Sequence, residues 1–213
     1  MVKLKLSEIF FSLQGEGPLV GMPSLFFRLY GCNLNCSWCD TPYSREPYPF
    51  FEKEIEELVQ QWKENFPQIP YVVITGGEPL LQEGAIPFLE ALIANGAKPL
   101  LETNGSLPIA GLPEGVIVVM DLKPPSSNMV EFNRYENLDF LREKDAVKIV
   151  IQDRRDFEWA INLVEQADLL KKTQVFFSPA HPFLSPKELA SLILETKLPL
   201  RLQVQLHKML GLK

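Results

Sequence analysis

Tyr71-Val72-Val73-Ile74-Thr75, followed by Gly76-Gly77-Glu78-Pro79, is a short apolar run that ends in a turn-forming tetrapeptide. Residues 83–95 then read as a helix closed by Gly96, and residues 98–102 as a second apolar strand. Strand, turn, helix and strand in that order are the repeating unit of an α/β domain with a mostly parallel sheet. The pattern extends in both directions from this unit. Upstream lie a strand or hairpin at 3–13, a strand at 24–30 and a helix at 52–66. On that helix Ile55, Leu58, Val59 and Trp62 share one face. Glu52, Glu54, Glu56 and Glu57 form a solvated surface towards its N-terminal end, where the helix dipole favours them. Downstream, 116–122, 146–151, 174–178 and 200–205 read as strands, and 156–170 and 186–196 as helices. The last helix has Ser185 as N-cap and Pro186 in its first position.

The bulk properties bound the function. A chain of 213 residues with 46% apolar content is long enough for one well-filled core, so a single domain over residues 1–213 is expected. No apolar run reaches the roughly 20 residues that cross a bilayer. The first residues lack the long apolar stretch and small-residue cleavage site of a signal peptide, which makes a cytoplasmic protein the simplest expectation. The net charge is −6, without a cluster of Lys and Arg. Nucleic-acid binding draws on such clusters, so a nucleic-acid partner is not favoured, and neither is a membrane. The chain has three cysteines, all within eight positions. An odd, clustered set is a poor disulfide framework and a good set of metal-ligating thiolates in a reducing compartment.

The polar residues fall in a telling place. Cys32 to Thr41 follows one expected strand, and Thr75-Gly76-Gly77-Glu78-Pro79 ends the next. Glu102-Thr103-Asn104-Gly105, Asp121-Leu122-Lys123-Pro124-Pro125-Ser126-Ser127, Ser178-Pro179-Ala180-His181 and Gln205-Leu206-His207-Lys208 end later ones. Parallel sheets bind ligands at the carboxyl ends of their strands, so these segments predict one site on one face.

Cys32, Cys36 and Cys39 have the spacing C-x3-C-x2-C. Three close thiolates suit an iron–sulfur cluster and leave one iron of a cubane open to a small molecule. A structural zinc site in a non-enzymatic interaction domain is the competing reading. Zinc prefers four protein ligands, and the fourth would have to be His181 or His207, far along the chain.

With Trp38 before the third cysteine, this loop resembles the signature of the radical S-adenosylmethionine (SAM) superfamily, and Gly76-Gly77-Glu78-Pro79 resembles its GGEP motif. Ser12-Leu13-Gln14-Gly15-Glu16-Gly17, Arg28, Cys39-Asp40-Thr41, Glu102 to Gly105, Lys123 to Ser127, Lys148-Ile149-Val150-Ile151 and Gln205 to Lys208 resemble, more narrowly, the 7-carboxy-7-deazaguanine synthase family. A glycyl-radical activating enzyme shares the cysteine loop but lacks the segments that bracket this chain.

The family resemblance implies an α/β fold of the radical SAM type. This is a truncated (β/α) barrel of mostly parallel strands, with the active site at their C-terminal ends. It implies conversion of 6-carboxy-5,6,7,8-tetrahydropterin to 7-carboxy-7-deazaguanine with loss of ammonia, on the route to queuosine and other 7-deazapurines. The 5′-deoxyadenosyl radical would take hydrogen from C6 before the ring contracts. No catalytic side chain is implied beyond the cluster and SAM. The cofactors implied are a [4Fe–4S] cluster on Cys32, Cys36 and Cys39, SAM, and Mg²⁺ at Thr41. Ser37, Trp38, Cys39, Gly77, Glu78, Lys123, Ser126, Ser127, Ser178 and His181 are implied around SAM. Leu13, Gln14, Gly15, Glu16, Arg28, Thr75, His207 and Lys213 are implied around the pterin, with Arg28 suited to a substrate carboxylate. A flavodoxin or ferredoxin as electron donor and a homodimer complete the expectation.

Overall fold

Alternate residues of each strand divide between a helix-covered face and a face that lines a cavity, and this parity positions the site. The structure, a computed structural model, describes residues 2–213. Nine strands form one sheet: β1 (Lys3–Leu13), β2 (Pro23–Leu29), β3 (Phe51–Glu54), β4 (Tyr71–Gly76), β5 (Lys98–Thr103), β6 (Ile117–Leu122), β7 (Ala146–Ile151), β8 (Gln174–Pro179) and β9 (Arg201–Leu202). Their spatial order is β3-β1-β2-β4-β5-β6-β7-β8-β9. β1 runs antiparallel to β2 and β3, and every pairing from β2 onward is parallel. β3 and β9 are separate ends, so the sheet is open, as a truncated barrel requires.

The helices are α1 (Ile55–Asn65), α2 (Ala85–Ala94), α3 (Arg154–Gln166), α4 (Leu169–Lys172), α5 (Pro186–Thr196) and α6 (Leu206–Met209). The longer ones bury one stripe each against the sheet. Leu58, Val59 and Trp62 of α1, Phe88, Leu89 and Leu92 of α2, Ala160 and Val164 of α3, and Leu189 of α5 join Phe27, Ile74, Leu101, Met120, Ile149 and Phe177 in the main core. Phe27 and Phe88 meet edge to face, with ring centroids 5.2 Å apart. Each such fully buried side chain contributes about 1.5–3 kcal/mol of burial energy.

Three expected elements differ in extent. The helix expected at 52–66 begins at Ile55, because Phe51–Glu54 pairs with β1 as an edge strand, with Phe51 opposite Leu6. Glu54 then caps the helix, in a reciprocal box with Glu57. The helix expected at 156–170 breaks at Asp168, whose φ of 52° is left-handed, and α4 follows. The strand expected at 200–205 pairs only at Arg201–Leu202. Beyond it, Gln203 turns its side chain to the cavity face and accepts from the Gly17 amide at 2.6 Å. By contrast, α5 keeps its expected bounds and carries a full Ser185–Glu188 capping box. Among the described residues, no helix is long and apolar enough to cross a membrane.

Candidate active site

On the cavity face the strands stack two layers. Phe26, Val73, Leu100, Val119, Ala146 and Phe176 make a small apolar cluster, with Phe10, Leu19 and Ile117 packed on it. Two residues further along the same strands, on the same face, stand Arg28, Thr75, Glu102, Asp121, Lys148 and Ser178. The first layer is an apolar floor and the second a polar wall. The wall opens into a cavity of about 430 Å³, which the cysteine loop, the Leu13–Glu16 turn and the segment 205–213 also line.

The cysteine loop is anchored from two sides. Asn104 Nδ2 donates to Asn33 Oδ1 at 3.1 Å and approaches Cys32 Sγ at 3.9 Å. Ser37 Oγ donates to the Ser126 carbonyl at 2.7 Å, and Trp38 Nε1 to Ser126 Oγ at 3.3 Å. Asn104 is itself fixed by Glu78. This carboxylate is fully buried and accepts from the Asn104 amide at 2.6 Å, the Leu80 amide at 2.9 Å and Thr103 Oγ1 at 2.9 Å. Burial outweighs these donors and raises its pKa. The Ser126 turn is in turn held by Asp156 at the start of α3. Asp156 accepts from the Ser126 amide at 3.0 Å and also from its hydroxyl.

The three thiols are free; Cys32 and Cys36 are half-buried and Cys39 is exposed. Burial pushes the Cys32 and Cys36 thiols up, so taking a metal there releases protons. A single zinc ion draws its ligands to about 2.0–2.3 Å from one point. Among the described residues, no three His, Cys, Asp or Glu side chains gather in that way. Three free thiols on one loop that lines the cavity suit, by ligand chemistry, an iron–sulfur cluster with one iron left open. Beside them, Asp121 Oδ1 is buried without a hydrogen-bond partner among the described residues, leaving a strong acceptor in the cavity wall.

Across the cavity, two ion-pair systems organise the wall. Lys148 Nζ lies 2.5 Å from Glu16 Oε2 and 3.8 Å from Asp121 Oδ2. Gln205 Nε2 donates to Glu16 Oε1 at 2.6 Å and to Asp40 Oδ2 at 3.2 Å, where Lys208 Nζ arrives at 2.7 Å. Burial opposes the charge on Glu16, but Lys148 and Gln205 more than offset it and hold its pKa down. The same balance raises the pKa of Lys148. In the second system Arg28 Nε meets Glu8 Oε1 at 2.8 Å, Tyr43 OH donates to the same oxygen at 3.0 Å, and Lys213 pairs with the other. Glu102 accepts from Thr75 Oγ1 at 2.7 Å and Gln14 Nε2 at 2.9 Å.

The Radical SAM superfamily profile matches residues 27–124, which span the cysteine loop, Gly76 to Pro79 and Lys123. A curated 7-carboxy-7-deazaguanine synthase from Koribacter versatilis is 41% identical over 96% of this chain and 96% of its own. The chain belongs to the 7-carboxy-7-deazaguanine synthase family. Synthases of that name from Methanospirillum hungatei and Chlorobaculum tepidum are 41% and 38% identical over 98% and 96% of this chain, and over 86% and 93% of their own lengths. The fold agrees with that of QueE from Escherichia coli, at a TM-score of 0.78 and 23% identity over 96% of this chain and 95% of that one. Streptococcus suis SuiB shares the fold more distantly, with a TM-score of 0.55 and 14% identity over 85% of this chain and 47% of that one. As a member of the synthase family, the chain is a radical SAM lyase whose family cofactors are a [4Fe–4S] cluster, SAM and Mg²⁺.

Within this synthase most residues singled out from sequence converge on the one cavity. Leu13, Gln14, Gly15, Glu16, Arg28, Thr75, His207 and Lys213 line it, as do Cys32, Cys36, Trp38, Cys39, Thr41, Gly77, Lys123, Ser178 and His181. Ser37, Glu78, Ser126 and Ser127 do not line it. Ser127 is fully buried, Ser37 and Ser126 are tied to each other's turns, and the Glu78 carboxylate is consumed in holding Asn104. The sequence reading passed over Glu8 and gave no individual role to Glu102, Asp121, Lys148 or Gln205, although it placed the segments of Glu102, Asp121 and Gln205 on the site face and included Lys148 in the family resemblance. For Glu102, Asp121 and Lys148 the available signal was strand parity: each lies two positions beyond an apolar cavity-face residue.

Proposed function

We propose that this chain converts 6-carboxy-5,6,7,8-tetrahydropterin to 7-carboxy-7-deazaguanine with loss of ammonia. The observation that carries the reading is the single cavity shared by three free thiols and a wall of paired acids and bases in a member of this family. Cys32, Cys36 and Cys39 would hold the [4Fe–4S] cluster, which with SAM would supply the hydrogen-abstracting radical chemistry directed at C6 of the pterin.

The chain's own residues orient and enclose. Gly77 and Lys123 flank the cysteine loop, with Ser178 and His181 on the next wall; together with Trp38 they form the proposed SAM surface. Ser37, Ser126 and Ser127 support it from behind. Arg28, already turned by Glu8, offers its remaining N–H groups to the substrate carboxylate. Thr41 contributes to a Mg²⁺ site at that carboxylate, while Asp40 is occupied by Lys208 and Gln205. Gln14, Gly15, Glu16, Thr75 and His207 read the edge of the heterocycle. Burial pushes the His207 imidazole down, which favours its neutral form as a hydrogen-bond donor or acceptor. Residues 1–213 act as one domain, as a cytoplasmic homodimer, with a flavodoxin or ferredoxin supplying the electron.

Anaerobic reconstitution with iron and sulfide, followed by incubation with the pterin, SAM, Mg²⁺ and reductant, tests the reading. Deazaguanine product is expected from the wild type and none from Cys36→Ala. A cluster-loaded wild type that cleaves SAM but makes no deazaguanine overturns the substrate assignment.

A further inference from the structure

Lys148 is an ammonium inside the wall of the substrate cavity, on the cavity face of β7 and opposite Asp121 in register. A lysine has three N–H donors. Among the described residues, only the one toward Glu16 Oε2, at 2.5 Å, is within hydrogen-bond distance of a carboxylate; Asp121 Oδ2 stands off at 3.8 Å. The side chain keeps 15% of its surface open. Lys148 and Glu16 both line the cavity, so an ammonium with donors not engaged by a carboxylate stands beside a carboxylate oxygen that can still accept. Neutralising Glu16 and Asp121 alone would ask for no such opening.

A donor next to an acceptor is the complement of a lactam edge, in which a ring N–H stands beside a carbonyl oxygen. We infer that Lys148 is a substrate-selecting residue, donating to the ring carbonyl of the heterocycle while Glu16 accepts from the adjacent ring N–H. This rests on the pterin reading given above and assigns the atoms that distinguish an oxo-pterin from other bicyclic amines. Gln205 holds the far oxygen of Glu16 at 2.6 Å, so the carboxylate cannot turn away from the shared edge. Val119 and Val150 also line the cavity, giving the planar ring an apolar surface to lie on.

The test measures equilibrium dialysis of 6-carboxypterin, an oxidised and unreactive analogue, against reconstituted enzyme with SAM. The comparison ligand is 2-aminopteridine-6-carboxylate, in which C4 carries hydrogen and N3 carries none, so both halves of the lactam edge are absent. Lys148→Met and Lys148→Gln are compared with the wild type. Loss of a charge-assisted hydrogen bond corresponds to roughly tenfold to hundredfold in Kd. That loss is expected for 6-carboxypterin, with less than about threefold change for the deoxygenated ring, so selectivity collapses. Equal loss for both ligands, unchanged selectivity, or failure of both variants to fold overturns the assignment and makes Lys148 a structural counter-ion. A wild type that binds neither ligand and makes no deazaguanine instead removes the pterin reading itself.

Discussion

Gly77, in the turn after β4, presses on the start of the cysteine loop: a Cβ there would stand 2.6 Å from Cys32 Cβ and 2.3 Å from the Gly31 carbonyl oxygen. The obstacle is backbone, which cannot swing aside as a side chain does. The glycine is thus required for close approach of the turn after β4 to the cysteine loop.

Gly77→Ala is expected to displace Cys32. Overpacking of this kind costs about 1–3 kcal/mol, which an extensive core tolerates. The fold should survive, with unchanged far-ultraviolet circular dichroism, while iron and sulfide per chain fall well below the wild type after identical reconstitution. Full cluster loading would show that the loop absorbs the clash.

Arg28→Ala is expected to weaken the pterin more than it slows turnover. The guanidinium contributes charge-assisted hydrogen bonds worth about 1.5–3 kcal/mol each, or roughly tenfold or more in apparent affinity. Arg28→Lys should not restore the loss, because a point charge lacks the fork that lets one edge meet Glu8 while the other meets substrate. Steady-state KM and kcat for the three proteins decide this.

Asp156 lies outside the cavity lining yet governs one wall of it. It is fully buried and carries the Ser126 turn as well as the Gln152 amide at 3.0 Å. Asp156→Ala leaves those donors unpaired at about 1–3 kcal/mol each, lowering the melting temperature. Affinity for SAM, read by equilibrium dialysis, should fall as the turn beneath Ser37 and Trp38 loosens, whereas cluster content should hold. Unaltered SAM affinity would confine Asp156 to stability.

Asp40 gives a pH signature. Burial opposes its charge, but Lys208, Lys148 and Gln205 overcome that and bring its pKa from 3.8 down to about 2. A carboxylate with a depressed folded pKa stabilises above its unfolded pKa and loses that contribution as pH falls through the folded one. The Asp40–Lys208 pair is half exposed, so solvent screening limits the effect to about 1 kcal/mol. Urea unfolding of the apoprotein should show Asp40→Asn less stable than wild type at pH 5, with the gap closing towards pH 2. A gap independent of pH would mean the side chain acts through packing alone.

Much of the site was legible because its chemistry is local. The three thiols share one loop, Gly76 and Gly77 share one turn, and each follows an apolar strand whose end the sequence marks. Helix α5 was legible for the same reason, since its cap, first proline and apolar stripe are contiguous. The helix at 52–66 was misread at its start because the acidic residues there satisfy two templates, and only pairing with β1 selects the strand.

The sequence by itself determined the succession of the main strands and helices, the gathering of three thiols in one loop and the side of the sheet on which the polar segments lie. Tertiary structure alone decided the partners. Glu16 meets Lys148 and Gln205 across separations of 132 and 189 residues, and Glu8 meets Arg28 only because β1 and β2 pair in that register. It also decided that Glu78 is a buried support rather than part of the cavity wall. The reason is physical: backbone propensity and spacing act over a few residues, whereas the charge state and orientation of a buried group are set by whichever distant donors the fold brings to it.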